Sequence, residues 1–135
     1  MSAGYSGKPL VQKLGIKDGC RIAVLGPPKD FWKTLGELPR GLVVSKQLRG
    51  PLDFIHYFTK SKADLEEKFS VLKKSLAPNG ALWISWPKGA SQVATDLNEN
   101  IVREIGLKHG LVDVKVCAVD ETWSGLKFVF RLKDR

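Results

Sequence analysis

The chain has 135 residues, 43% hydrophobic and 27% charged, with two cysteines and a formal net charge of +8. Its length suits one domain burying about two thirds of its unfolded surface, so a single domain is expected over 1–135, with 1–19 as an N-terminal arm carrying a short helix. No apolar run nears the ~20 residues of a membrane span, and the opening MSAGYSGKPL lacks the hydrophobic segment of a secretion signal. Cys20 and Cys117 stand far apart, in neither a CxxC pair nor a Cys/His cluster. A cytoplasmic protein with reduced thiols, no metal and no membrane contact is expected.

Gly4 to Gly7 reads as a flexible opening, followed over 8–14 by a short helix with Pro9 in its first turn and Gly15 at its end. Gly19 precedes a strand over 21–25, which runs into Gly26-Pro27-Pro28. Asp30 is placed to cap a second helix carrying Phe31, Trp32, Leu35 and Leu38, although Gly36 weakens it. A second strand over 42–45 follows Pro39-Arg40-Gly41. Only residues 46–51 separate it from the next strand, where a parallel crossover normally takes a dozen or more. Six extended residues reach roughly 20 Å. Either this link is stretched or the second strand is not parallel.

The segment 51–88 is the clearest unit: strand, helix, turn, strand. Leu65, Phe69, Leu72 and Leu76 make one stripe at helical spacing, Ser61 is a natural N-cap, and Asp64 lies near the positive helix end. Pro78-Asn79-Gly80 stops the helix, and an apolar strand follows over 81–88. Past the loop 87–94, Thr95-Asp96 is expected to cap a helix bearing Leu97, Ile101 and Ile105 that ends near His109-Gly110.

The tail then switches to period two. Val112, Val114, Val116 and Ala118 alternate with Asp113, Lys115 and Cys117. Leu126, Phe128, Phe130 and Leu132 alternate with Lys127, Val129 and Arg131. That pattern predicts an antiparallel pair joined through 120–125. The expected fold class is α/β: a three-layer Rossmann-like domain, mostly parallel, with a C-terminal antiparallel hairpin.

This element order, with Leu76-Ala77-Pro78-Asn79-Gly80 leading into the strand over 81–86, resembles the class I S-adenosylmethionine-dependent methyltransferases, in which a Leu-x-Pro-x-Gly turn commonly introduces the corresponding strand. The chain also resembles a small bacterial family of unknown function, through AGYSGKPL at 3–10, LRGPLD at 48–53, WPK at 86–88, VATDL at 93–97 and VCAVDETWSGLKFV at 116–129. The methyltransferase resemblance implies a glycine-rich cofactor loop after the first strand and a ribose-binding acid after the second. Here those places read Gly26-Pro27-Pro28, whose prolines remove backbone donors, and Ser45-Lys46.

Ligands of open α/β sheets bind outside the carboxyl ends of the strands. The candidate ligand-binding residues are therefore Gly26 and Pro27; Trp86, Lys88 and Ser91; and Asp120, Glu121, Thr122, Trp123 and Ser124, which share that rim if the hairpin turn points the same way. Trp86 either stacks a planar ligand or covers the top of the sheet. Lys88 to Ser91 holds the ingredients of an anion site. Adjacent Asp120 and Glu121 can do acid/base work if their environments differ, or simply cap the turn. Trp83, His56 and Cys117 are expected in the core. The basic residues are spread along the chain with no nucleic-acid-reading signature, which favours a solvated surface.

With the glycine loop and the ribose acid missing, the expected function is a non-catalytic domain binding a small molecule or a protein partner, with no cofactor and no named catalytic residue. The alternative is a divergent S-adenosylmethionine- or nucleotide-dependent enzyme.

Overall fold

The computed structural model describes residues 8–135; the expected opening at Gly4 to Gly7 lies outside the described residues. In chain order the elements are α1 (Leu10–Leu14), β1 (Arg21–Leu25), α2 (Phe31–Leu35), β2 (Val43–Ser45), β3 (Leu52–Phe58), α3 (Lys62–Ser75), β4 (Leu76–Pro87), α4 (Glu99–Lys108), β5 (Leu111–Ala118) and β6 (Trp123–Phe130). The strands form one sheet in the order β2-β1-β3-β4-β6-β5. β1 to β4 are parallel, and β6 runs antiparallel between β4 and β5.

Side-chain alternation divides the core into two layers. Phe54 and Phe58 of β3 and Trp83 of β4 face Leu10, Leu14, Phe31 and Leu35 of α1 and α2. Ile55, Leu82 and Ile84 face Leu65, Phe69, Leu72, Val102 and Ile105 of α3 and α4. The expected stripe on α3 is the buried one, and Ser61 Oγ accepts the Asp64 N–H at 3.2 Å as an N-cap.

β2 is parallel to β1, with Val43 opposite Arg21 and Val44 opposite Ile22, so of the two readings the stretched link is the one that forms. It has no helix. Residues 46–51 cross the sheet on the α3 side, where Leu48 packs against the core and Ser75 Oγ donates to its carbonyl at 3.3 Å.

Four local expectations are corrected. The turn at 78–80 is absorbed into β4, which starts at Leu76 directly from α3. Leu52 pairs with Leu76 and Phe54 with Ala81, so the intervening residues form a bulge. α4 is capped by Asn98, whose side chain accepts the Ile101 N–H at 2.9 Å. Thr95 and Asp96 serve the neighbouring helix: Thr95 Oγ1 donates to the Lys60 carbonyl at 2.6 Å and Asp96 accepts the Lys62 N–H at 2.8 Å. α2 stops at Gly36 (φ 93°), leaving Leu38 43% exposed. On β5 the valines do not line the core. Val114 and Val116 are 54% and 45% exposed while Leu111 and Cys117 are buried, because a bulge between Asp113 and Lys115 resets the faces of this edge strand.

Candidate functional site

From β1 the chain goes out to β2 on one side and returns to β3 on the other. The carboxyl ends of β1 and β3 therefore flank a topological switch point, where an open α/β sheet has its crevice. Gly26 sits there with φ 64°, and a Cβ on it would lie 2.9 Å from the Phe58 carbonyl oxygen. Only glycine lets the chain leave β1 this close to β3. Phe58 ends β3 with its ring edge-on to Phe31 and to Trp123, at 5.1 and 5.2 Å between centroids.

β6 begins opposite the end of β4, with Trp123 against Pro87 and Ser124 against Trp86. The hairpin turn thus shares the rim of β1, β3 and β4. Its carboxylates differ in situation. Asp120 Oδ1 accepts the N–H groups of Thr122 and Trp123 at 2.8 and 2.7 Å, which closes the turn, whereas Glu121 is exposed. Lys88 N–H donates to the Thr122 carbonyl at 2.8 Å, and Ser91 Oγ donates to the Lys88 carbonyl at 2.6 Å. Trp86 is only 4% exposed, inside the cluster containing Leu97, so its ring covers the α3 side of the sheet and presents no open stacking face.

The candidates thus fall into two groups, Gly26 and Pro27 beyond β1, and Lys88, Ser91 and 120–124 beyond β4 and β6. Phe58, which touches both Gly26 and Trp123, joins them. The sequence reading passed over Phe58, whose only signal was its place as the last aromatic of an apolar strand.

One layer below lies a polar pair in the core. His56 Nε2 and Ser85 Oγ are 2.6 Å apart, both residues are fully buried, and His56 Nδ1 has no partner. The imidazole stacks on Phe58 at 4.1 Å. Burial lowers its pKa from 6.5 to about 3, which keeps the ring neutral. His56 and Trp83 are core residues as expected, the Trp83 indole donating to the Leu14 carbonyl at 2.9 Å. Burial likewise pushes the Cys117 thiol up. Among the described residues no cluster of His, Cys, Asp or Glu is arranged to hold a metal, and no helix is long and apolar enough to cross a membrane.

No family model matches the chain, nor does any curated protein. Solved structures do. A SAM-dependent methyltransferase from Aquifex aeolicus superposes with a TM-score of 0.58 at 16% identity, covering 87% of this chain and 86% of that one. Magnesium protoporphyrin IX methyltransferase from Synechocystis with bound SAH gives 0.58 at 13% identity, over 90% and 78% of the two chains. The N-methyltransferase NodS from Bradyrhizobium japonicum gives 0.57 at 15% identity, over 87% and 90%. The fold is Rossmann-like, of the methyltransferase kind.

That likeness corrects two expectations, the non-catalytic role and the absence of a cofactor. The similar structures include methyltransferases determined with SAH or SAM bound, and they point to the methyltransferase-like alternative. The prolines after Gly26 and the missing acid at Ser45-Lys46 subtract individual contacts, while the crevice itself is made by strand order. The residues present fit such a cofactor through backbone and aromatic surface: Gly26 keeps a side chain out of the switch point, and the half-buried Trp123, backed by the buried Phe58, lines the rim.

Proposed function

We propose that this chain binds S-adenosylmethionine across the carboxyl ends of β1 and β3 and is a methyltransferase. The observation that carries this reading is Gly26, at positive φ and in contact with the Phe58 backbone, at the switch point of a sheet ordered β2-β1-β3-β4-β6-β5. When bound, the cofactor supplies a methyl group on a positively charged sulfur, activated toward a nucleophilic acceptor. The chain's own part is to bind, orient and dry the site. Gly26 and Pro27 form one edge. Trp123, half-buried and in T-shaped contact with the buried Phe58, offers aromatic surface that excludes water. Lys88, Ser91 and the turn from Asp120 to Ser124 form the acceptor side. There Glu121 is the carboxylate free to accept a proton, because Asp120 is engaged by two backbone N–H groups.

The test is titration calorimetry with S-adenosylhomocysteine on the wild type and on Gly26→Val, with circular dichroism to confirm the fold. Wild-type binding is expected, together with a loss of about tenfold or more, 1.4 kcal/mol, in the variant. Absence of both binding and methyl transfer by the wild type would overturn the proposal. Equal binding by a folded Gly26→Val would move the site elsewhere.

A further inference from the structure

The sheet face covered by α1 carries a group of positive charges that the sequence scatters over more than a hundred residues. Lys115 and Lys127 are directly paired across β5 and β6, a spacing of about 5 Å between Cβ atoms at which like charges repel. Lys115 Nζ donates to the Lys13 carbonyl at 3.0 Å, at the end of α1. Lys127 Nζ lies 3.7 Å from where a Cβ on Gly15 would stand, at the start of the loop that carries Lys17. Partial burial, then the charges of Lys115 and Lys17, press the Lys127 pKa down.

None of the ion pairs among the described residues involves these three lysines: Arg103–Glu99, Arg103–Asp113 and Lys108–Glu66 all lie on the α3 and α4 side. A like-charge row costs stability that an anion would return. Long ammonium stems from three separate elements suit charges that repeat along a polymer, and a nucleic-acid strand carries one about every 3.4 Å of its axis.

We propose that the row formed by Lys17, Lys115 and Lys127 is a docking surface for the phosphate backbone of nucleic acid. The inference is independent of methyl transfer, because it rests on the α1 face of β5 and β6 rather than on the switch point.

Fluorescence anisotropy of the full chain with a labelled duplex, followed across a salt series, tests it. Binding at low salt should weaken as salt rises, and Lys115→Gln/Lys127→Gln should bind about tenfold less tightly, with a log–log salt slope shallower by about 2. Lys62→Gln/Lys74→Gln removes the same charge from the opposite face and should stay within about twofold of wild type. A thermal melt of Lys115→Gln/Lys127→Gln no lower than wild type would show that lost binding is not lost folding, since the substitution relieves repulsion. Equal weakening by both double variants, no duplex binding by the wild type, or binding to phosphatidylserine vesicles but not to duplex would each overturn the proposal.

Discussion

The two faces of the sheet are closed in different ways. On one, α3 and α4 have 14 and 10 residues, and both are N-capped by a side chain that accepts a backbone N–H. Arg103 ties Glu99 to Asp113, and His109 stacks on Phe69. On the other, α1 and α2 have five residues each and no side-chain cap bond. That face is held by Phe31, Phe54, Phe58 and Trp83 around the buried His56–Ser85 pair, and it carries the lysine row. Helices this short gain nearly all their stability from tertiary contacts. The first face is a scaffold. The second combines short helices with a buried polar pair, aromatics at the rim and neighbouring like charges.

The largest test of this contrast is Gly106→Ala. A Cβ on Gly106 of α4 would lie 2.0 Å from Cε1 of the fully buried Phe128 ring, so something must shift. A loss of about 3 kcal/mol is expected in urea unfolding. Gly15→Ala on the opposite face meets only the Lys127 ammonium, at an ordinary contact distance of 3.7 Å, and should cost about 1–2 kcal/mol, from its left-handed φ of 81° alone. Equal losses would erase the distinction between a tight face and a loose one.

The buried pair should show itself through pH. Burial lowers the pKa of His56 from 6.5, the ordinary value of an imidazole, to about 3, so between those values the unfolded chain binds a proton that the folded chain refuses. The stability is fully present above pH 6.5 and is lost as pH falls toward 3, at up to about 1.4 kcal/mol per pH unit. The difference in unfolding free energy between wild type and His56→Leu/Ser85→Ala, followed over that window, should carry this slope. Ser85→Ala alone should cost about 1–3 kcal/mol at neutral pH, because it strands His56 Nε2 in the core. If the double variant costs the sum of His56→Leu and Ser85→Ala measured singly, the two side chains are not coupled.

Smallest of all is Asp113→Ala. Its carboxylate and Arg103 are 26% and 29% exposed, so a loss under about 1 kcal/mol is expected, fading in high salt. A loss that persists in high salt would mean the scaffold face depends on charge as much as on packing.

Local pattern made much of the fold legible. The leucine and phenylalanine stripe of α3, its Ser61 cap and the alternation of β6 each lie within one element, where periodicity reports directly on the buried side. Competition between neighbours was not legible. Thr95 and Asp96 have the residue types of a cap for α4, yet the start of α3 lies close enough in space to take them. The valines of β5 alternate as a buried strand would, but an edge position and a bulge turn them outward. Of the candidate site, the sequence offered Gly26 and the turn from Asp120 to Ser124, because strand ends can be read from where apolar runs stop. It missed Phe58, whose importance lies in touching both.

By itself, then, the sequence determined the kind of fold: a mostly parallel sheet ending in an antiparallel hairpin, with its open rim at the carboxyl ends of the strands. Hydrophobic period and turn chemistry are properties of consecutive residues. Only the tertiary structure decided what meets across the sheet, namely His56 with Ser85, Trp83 with Leu14, and Lys115 beside Lys127 and the end of α1. Those pairings depend on strand order and on which face each residue takes. One bulge or one unusually short crossover changes both without altering the periodicity of the elements it joins.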